Sequence, residues 1–179
     1  MRKIPTMFVR DKENMQFVFD QPHPDCGWVF EGEGEATRKY DGTCCKIAEG
    51  KLFKRREVKF GKITPNGFIE EQLDEITGKR IGWVLVDPES KEDKYHRAAL
   101  SEKPDGTYEL LGPKIQGNPE KHKFYTLQSH SDAEVFYECP RTFDGLREWL
   151  SKIDIEGIVF HHPDGRMAKI KKKDFGMKR

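Results

Sequence analysis

Short apolar or alternating segments follow one another along most of the chain, and Gly, Pro, Asn and Asp separate them. This pattern is typical of antiparallel strands, whose successive side chains point to opposite faces of a sheet. The predicted strands are 7–9, 16–19, 28–30, 43–48, 51–54, 82–86, 107–111, 124–128, 157–161 and 167–171. We therefore expect an α+β fold in which antiparallel sheet dominates.

Turn dipeptides mark several of the boundaries between these segments. Asp41-Gly42, Glu49-Gly50, Asp105-Gly106 and Asp164-Gly165 each combine an acidic residue with glycine, which tolerates turn conformations best. The last two dipeptides lie between predicted strands. They are therefore predicted to connect hairpins.

One helix is predicted, beginning after Pro140 with Thr142 as its N-cap. Apolar residues recur there at a helical period, at Phe143, Leu146, Trp149, Leu150 and Ile153. The region 60–80 combines apolar positions that hint at a helix with residues that favour a loop, and we interpret it as mostly loop. Its apolar positions are Phe68, Ile69, Leu73 and Ile76.

Composition fits one globular domain. The chain has 179 residues and a mass of 20.9 kDa, enough for one core but short for two, so we expect a single domain over 1–179. Its formal net charge is +1, from 32 Lys and Arg against 31 Asp and Glu, which by itself does not indicate a nucleic-acid binder. Basic residues concentrate at 51–62 and 169–179, and these two runs could converge into a phosphate-binding face. Either run alone is more simply interpreted as solvated surface.

Cysteine usage and the lack of a long apolar stretch favour a cytoplasmic protein. The four cysteines are Cys26, Cys44, Cys45 and Cys139, and their spacing does not suggest zinc. A reduced, intracellular protein is the simplest interpretation. The N-terminus lacks the apolar run of a signal peptide, and no stretch approaches the length of a membrane span. We expect a monomer in the cytoplasm, without membrane association.

The segment Lys39-Tyr40-Asp41-Gly42 places a lysine at a turn that leads into the predicted strand 43–48. A lysine with its reference pKa of ~10.4 is protonated, so a nucleophilic lysine needs surroundings that favour the neutral amine. Lys169 and Lys171 are spaced two apart on a predicted strand and therefore point the same way. These cations could lower the pKa of Lys39 and also hold a phosphate. Alone, the four-residue pattern also fits an ordinary surface turn.

Further motifs follow Lys39 along the chain. Arg55 comes sixteen residues later, and Glu109, Glu156 and Lys169-Ile170-Lys171 come after it in that order. This order resembles the motif series of the covalent nucleotidyltransferase superfamily, which contains DNA ligases, RNA ligases and messenger RNA capping enzymes. Five motifs in this order make chance a weak explanation.

Longer segments narrow the resemblance to the family of short ATP-dependent RNA ligases that includes the human 5'-phosphate and 3'-hydroxyl RNA ligase. They are Arg2-Lys3-Ile4-Pro5, Lys39-Tyr40-Asp41-Gly42-Thr43-Cys44-Cys45, Gly82-Trp83-Val84, Glu109-Leu110-Leu111-Gly112-Pro113-Lys114-Ile115-Gln116-Gly117-Asn118-Pro119 and Glu156-Gly157-Ile158-Val159-Phe160-His161. The resemblance implies a nucleotidyltransferase (ligase adenylation) domain: two antiparallel β-sheets with flanking helices, and the nucleotide in a groove between the sheets. Because the chain ends just after the Lys169 motif, we expect no C-terminal oligonucleotide-binding (OB) domain.

The same resemblance implies roles for individual residues. Lys39 would attack ATP and carry AMP, and the AMP would pass to an RNA 5'-phosphate before an RNA 3'-hydroxyl displaces it. Lys169 and Lys171 would neutralise the α-phosphate as further catalytic residues. Glu156 would coordinate Mg²⁺ or Mn²⁺, with Asp41 at the water shell of the metal. The remaining nucleotide contacts would come from Arg38, Gly42, Arg55, Glu109 and Tyr125.

Several of these assignments leave alternatives open. Arg55 is followed by Arg56, so the register of that motif could differ by one. The aromatic residue that stacks on adenine is sought in strand 124–128, where Phe124 and Tyr125 face opposite sides. Arg38 stands where relatives often carry Glu, so a backbone contact is the safer expectation there. His130 and His161 match positions in the family without an assigned role.

Two other functions compete with the RNA ligase interpretation. One is a GTP-dependent capping-type enzyme or a DNA ligase, against which the lack of a second domain counts. The other is a non-catalytic RNA-binding relative that has kept the fold. Against this second function, every expected catalytic residue type is present.

Overall fold

A computed structural model of the chain describes residues 2–75 and 77–179. These residues form two compact units. The first, the large-sheet unit, is formed mainly by Asp41–Asp132, and the second, the terminal unit, by Ile4–Tyr40 and Ala133–Arg179. The expectation that 1–179 acts as a single domain stays a prediction.

Strands predominate over helices in both units, in agreement with the predicted α+β class. The strands are β1 Phe8–Arg10, β2 Val18–Pro22, β3 Glu35–Lys39, β4 Thr43–Ala48, β5 Lys51–Val58, β6 Ile69–Asp74, β7 Lys79–Leu85, β8 Gly106–Leu111, β9 Thr126–Ser129, β10 Gly157–His161 and β11 Met167–Lys171. The helices are α1 Gly27–Phe30, α2 Lys94–Ala99 and α3 Phe143–Ser151. Short 3₁₀ turns cover Pro24–Cys26, Lys91–Asp93 and Lys172–Phe175. Among the described helices, none combines the length and the apolar character that crossing a bilayer requires.

The large-sheet unit is built on six antiparallel strands in the order β6-β7-β5-β4-β8-β9. Alternate residues of the central strands are buried on one face, because successive strand side chains point in opposite directions. This core contains Cys45, Ile47, Leu52, Ala99, Tyr108, Leu110, Ile115 and Leu127. The other face of the same strands is therefore free to carry polar side chains.

The terminal unit contains a three-stranded antiparallel sheet in the order β11-β10-β3 and the two-stranded sheet of β1 and β2. One face of the larger of these sheets packs on α3, whose Leu146 and Leu150 are fully buried. The sheet residues that belong to this core are Ala36, Ile158, Phe160, Ala168 and Ile170. Helix α3 begins as predicted, because the Thr142 hydroxyl accepts a hydrogen bond from the Gly145 N–H at 3.3 Å.

Strands predicted at 43–48, 157–161 and 167–171 coincide with β4, β10 and β11. The Asp164-Gly165 dipeptide connects β10 to β11 as the predicted hairpin turn. The Asp105-Gly106 prediction is wrong, because helix α2 intervenes after β7 and Gly106 simply opens β8.

Three other sequence-based predictions are wrong in part. Residues 28–30 form helix α1 instead of a strand, since the preceding turn is capped by His23 and Trp28 hydrogen-bonds back to it. The region 60–80 contains β6 and the start of β7, and a bulge between Glu70 and Gln72 breaks the alternation that would reveal β6. Ile76, part of the helical hint, lies outside the described residues. The strand predicted at 124–128 begins only at Thr126.

Candidate active site

The three-stranded sheet aligns Lys39, Gly157 and Lys171 in one row. Gly157 of β10 pairs with Lys39 of β3 on one side and with Lys171 of β11 on the other. Residues that pair directly across antiparallel strands project to the same face. The next row on this face contains Thr37, Val159 and Lys169. We call this surface the lysine face, and the opposite face is the buried one that packs on α3.

A carboxylate lies between two of these lysines. Oε2 of Glu156 lies 2.5 Å from Nζ of Lys39, and its Oε1 lies 3.5 Å from Nζ of Lys171. The side chains are 15%, 22% and 13% exposed, respectively, so water screens these charges only partly. Burial lowers the pKa of Lys171, Glu156 opposes that shift, and the cations of Lys173 and Lys39 add to it. Lys39, Glu156 and Lys171 therefore form a compact, partly desolvated cation-anion-cation cluster.

Gly157 is required by how closely β10 approaches β11. A Cβ at this position would lie 2.1 Å from the carbonyl oxygen of Ile170 and 2.7 Å from Cα of Lys171. Real Cβ atoms essentially never come that close to backbone atoms. The glycine after Glu156 thus allows the two strands to bring Lys171 to the carboxylate.

The backbones of both β11 lysines are anchored by other segments of the terminal unit. Lys169 exchanges hydrogen bonds of 2.9 Å with the N-terminal segment, through the N–H of Met7 and the carbonyl oxygen of Pro5. The N–H of Lys171 donates to Oδ2 of Asp174 at 2.9 Å. Asp174 is fully buried, and its Oδ1 accepts from Arg10 at 2.9 Å. These contacts fix the position from which each lysine side chain extends.

In the large-sheet unit, Arg55 and Glu109 share a face. Cys45 pairs directly with Lys54 on one side and with Tyr108 on the other, so these three residues project to the same face. Their chain neighbours Arg55 and Glu109 consequently project to the opposite face. Arg56 belongs to the same face as Lys54. We call the surface that carries Arg55 and Glu109 the Glu109 face.

The Glu109 carboxylate is held by a histidine. Oε2 of Glu109 lies 3.0 Å from Nε2 of His130, and Nδ1 of the same ring lies 3.0 Å from the hydroxyl of Thr107. Glu109 is only 8% exposed. The sequence resemblance singled out His130 but gave it no role, since no spacing rule links a strand residue to one twenty-one positions later. His161, also singled out, lies 3.0 Å from the hydroxyl of Thr37 through its Nε2.

The second half of the Lys39-Tyr40-Asp41-Gly42 motif lies beside Glu109. A Cβ at Gly42 would lie 2.3 Å from the carbonyl oxygen of Leu110 and 2.8 Å from Cγ of Glu109. The N–H of Asp41 donates to Oε1 of Glu120 at 2.9 Å. Within the large-sheet unit, the glycine therefore lets the turn approach the strand that carries Glu109.

Arg38 and Tyr125 make contacts that their sequence assignments did not anticipate. Arg38 projects away from the lysine face, and its guanidinium lies 3.3 Å from the Glu134 carboxylate. The backbone N–H of Arg38 donates to the backbone carbonyl oxygen of Glu134 at 2.8 Å. Tyr125 precedes β9 and stacks on Tyr95 with 4.8 Å between ring centroids. Phe124, the alternative aromatic, is 80% exposed.

The predicted site residues are thus divided between the two units. Lys39, Glu156, Lys169 and Lys171 belong to the terminal unit, and the first two form a direct contact. The second group, in the large-sheet unit, consists of Asp41, Gly42, Arg55, Glu109 and Tyr125. The chain passes from one unit to the other between Tyr40 and Asp41.

The carboxylate of Glu156 is the candidate metal ligand with the most suitable surroundings. Over residues 2–75 and 77–179, no group of three or more His, Cys, Asp and Glu side chains could hold a metal by itself. Mg²⁺ commonly binds through one or two carboxylates and completes its shell with water and substrate phosphate oxygens. A partly exposed carboxylate beside the amines of Lys39 and Lys171 fits that requirement.

No family profile matches the chain. Two curated relatives do, and both bear the name RNA ligase 1. The protein from Danio rerio is 23% identical over an alignment of 219 positions, which covers 80% of this chain and 67% of the relative. The protein from Rattus norvegicus is 23% identical over 218 positions, which cover 79% of this chain and 67% of the relative. These similarities support a distant relation to RNA ligases and an RNA ligase function in general.

Proposed function

We propose that the chain is an ATP-dependent RNA ligase that joins a 5'-phosphate and a 3'-hydroxyl through AMP carried on Lys39. The observation that supports this proposal most is the contact of Lys39 with Glu156 beside Lys171 on the lysine face. This group combines a nucleophile, a carboxylate and cations that suit phosphoryl transfer, where catalysis consists largely of positioning and charge neutralisation.

In the first step, the neutral amine of Lys39 attacks the α-phosphorus of ATP. A nitrogen-phosphorus bond forms, the bond from the α-phosphorus to the bridging oxygen breaks, and pyrophosphate leaves. The contact with Glu156 favours the protonated amine, so Lys39 must leave that carboxylate and lose its proton before it attacks. Lys169 and Lys171 neutralise the charge that accumulates on the phosphate oxygens.

The residues of the Glu109 face are assigned to the nucleoside and phosphates. Glu109 accepts a hydrogen bond from a ribose hydroxyl, because a carboxylate offers only acceptors. Arg55 offers a planar fork of donors to a phosphate or ribose oxygen. For Arg38 and Tyr125, the assignment to the nucleotide site stays a prediction.

A divalent cation fits at Glu156. Mg²⁺ or Mn²⁺ bound there would neutralise phosphate charge during the transfer. Its protein ligand would be the carboxylate of Glu156, with Asp41 assigned to its water shell. The carboxylate that binds Lys39 in this structure is therefore the group that we assign to the metal.

Two further displacements complete the reaction. An oxygen of the RNA 5'-phosphate attacks the phosphorus of the AMP on Lys39, the nitrogen-phosphorus bond breaks, and a 5'-5' pyrophosphate linkage forms. The oxygen of an RNA 3'-hydroxyl then attacks the phosphorus at the RNA 5'-end. AMP leaves, and the new phosphodiester joins the two ends.

The test is the intact-protein mass after incubation with ATP and Mg²⁺ or Mn²⁺. We expect the parent to gain the mass of one AMP and Lys39→Ala to gain none. Lys62→Ala, which removes an exposed lysine of the basic run 51–62, should behave like the parent. Absence of an adduct with any nucleoside triphosphate, in protein shown to be folded, would overturn the proposal and favour the non-catalytic RNA-binding relative.

The same incubation separates the competing enzymes. A GMP adduct formed from GTP in preference to ATP would favour a capping-type enzyme. An AMP-carrying protein that seals nicked DNA faster than nicked RNA would favour a DNA ligase. Sealing of an RNA 5'-phosphate to an RNA 3'-hydroxyl is the expected result.

A further inference from the structure

A chain of three side chains, Thr107, His130 and Glu109, lies at the edge of the Glu109 face. Thr107 and Glu109 are two residues apart on β8 and project to the same side. His130 directly follows β9, and its N–H donates to the carbonyl oxygen of Thr107 at 3.1 Å. The ring is thereby placed where Nδ1 reaches the Thr107 hydroxyl and Nε2 reaches Glu109, each at 3.0 Å.

The direction of these hydrogen bonds follows from what each group can donate. An ionised carboxylate only accepts, so Nε2 of His130 must carry the hydrogen that lies toward Glu109. In the neutral ring, Nδ1 then presents its lone pair and accepts from the Thr107 hydroxyl. The chain therefore runs from Thr107 through His130 to Glu109, and the threonine favours the tautomer that holds the glutamate.

Glu109 is constrained on two sides by this arrangement. His130 forms a hydrogen bond with Oε2. The backbone of Gly42 lies so close on the other side that a Cβ built there would be 2.8 Å from Cγ of Glu109. The residue is 8% exposed, so few other orientations are open to its side chain. Its second oxygen, Oε1, has no hydrogen bond to any described residue and can accept one from a ligand hydroxyl.

We propose that Thr107 and His130 are positioning residues that set how strongly the enzyme depends on the ribose hydroxyls of ATP. This inference rests on the proposed function, in which Glu109 accepts a hydrogen bond from one of those hydroxyls. A carboxylate held in one orientation forms its best hydrogen bond with a hydroxyl at one position, whereas a carboxylate that is free to rotate forms an equally good hydrogen bond with water. Loss of His130 therefore reduces the preference for ATP over deoxy-ATP more than it weakens the other contacts between the enzyme and ATP.

The test compares single-turnover formation of the AMP adduct on Lys39 from ATP, 2'-deoxy-ATP and 3'-deoxy-ATP. In the parent we expect removal of the relevant hydroxyl to slow adduct formation about tenfold or more, since hydrogen bonds to charged groups are the stronger ones. In His130→Asn the rate of adduct formation from ATP and the rate from the nucleotide that lacks this hydroxyl should become nearly equal, because the shorter amide reaches only the Nδ1 position. In His130→Gln most of the parental ratio should return, because the longer amide places a donor near the Nε2 position.

Three controls separate the possible failures. His122→Gln should keep the parental ratio, because the described residues give the ring of His122 no hydrogen bond. Melting temperatures establish that each variant is folded. If His130→Asn does not fold, Thr107→Val against Thr107→Ser takes its place, and only the valine variant should lower the ratio.

An unchanged ratio in folded His130→Asn or Thr107→Val would overturn the inference, and so would an equal fall in His130→Asn and His130→Gln. A parent that forms the adduct equally fast from all three nucleotides would overturn it as well, together with the assignment of Glu109 to a ribose hydroxyl, while leaving the proposed formation of AMP on Lys39 intact. A parent that forms no adduct at all would instead overturn the proposed function.

Discussion

Nζ of Lys39 lies 2.5 Å from Oε2 of Glu156, although 117 positions separate the two residues in the chain. Strands β3 and β10 create this contact, because Lys39 pairs with Gly157, the residue after the glutamate. The contact places the proposed nucleophile against the proposed metal ligand. The strength of the Lys39–Glu156 ion pair therefore affects the candidate site as well as the stability of the fold.

Glu156→Gln should lower the stability of the protein at neutral pH. The substitution keeps the size of the side chain but leaves the partly buried cations of Lys39 and Lys171 without their counter-charge. Breaking a partly buried ion pair from one side costs about 1–3 kcal/mol of unfolding free energy. Chemical denaturation of parent and variant at pH 7 measures this difference.

A double-mutant cycle isolates the contact itself. Lys39→Met, Glu156→Gln and the double variant should give a coupling free energy of about 0.5–3 kcal/mol. The same cycle on the Arg38–Glu134 ion pair is a matched control. The carboxylate of Glu134 is 53% exposed, and exposed ion pairs have small coupling free energies. Equal coupling in both cycles would contradict the expectation.

Gly42→Ala and Gly157→Ala should each destabilise the protein by about 1–3 kcal/mol or more, because their Cβ atoms would collide with strand backbone at 2.3 Å and 2.1 Å. Gly27→Ala is the control. Apart from its chain neighbours and the backbone of its own helix, no atom of the described residues lies within 4 Å of a Cβ at Gly27, and its backbone is already helical. This variant should be neutral or gain about 0.5–1 kcal/mol from a less flexible unfolded chain. Urea unfolding of the three variants compares them directly, and a neutral Gly157→Ala would contradict the structure.

The sequence predicts well those parts of the site that depend on local alternation. Lys169 and Lys171 share a face because they are two apart on a strand, and the same rule puts Arg55 and Glu109 on one face once the strands pair. Strand β3 was not predicted, because Glu35–Lys39 is mostly polar and only its pairing with β10 defines it.

Contacts between distant segments had no local signal. The bond between His130 and Glu109 joins a residue that follows β9 to one in β8, and its existence depends on the register of that pairing. The Arg10–Asp174 pair likewise joins the two ends of the chain. The Tyr125 assignment depended on a strand that begins one residue later, so the alternation argument did not apply to it.

Stability should fall as pH decreases below about 6.5, and His96 should cause part of that fall. Burial lowers the pKa of His96, partly offset by Asp93 at 3.9 Å, while Lys54 adds to the lowering. Because the folded-state pKa lies below the unfolded value of about 6.5, the unfolded state binds the proton first as pH falls. The stabilisation is therefore complete above that pH and is lost as pH falls through the folded-state pKa.

His96→Leu tests this dependence. Both ring nitrogens of His96 are buried and lack a hydrogen bond to any described residue, so leucine removes the titration without removing a hydrogen bond. Unfolding free energies measured between pH 5 and pH 8 should decline less steeply for the variant than for the parent. Parallel curves would show that His96 does not contribute.

The neighbouring arginines Arg55 and Arg56 offer the sharpest test of the Glu109 face. The strand register places Arg55 on that face and Arg56 on the opposite one, so only Arg55 can serve a nucleotide bound beside Glu109. Under the proposed function, Arg55→Ala should raise the ATP concentration needed for half-maximal adduct formation about tenfold or more, since a charge-assisted hydrogen bond is lost. Arg56→Ala should stay within about twofold of the parent, because exposed surface substitutions rarely change more than that. If Arg56→Ala is the more damaged variant, the register of the motif is shifted by one, and the assignment of Arg55 is wrong.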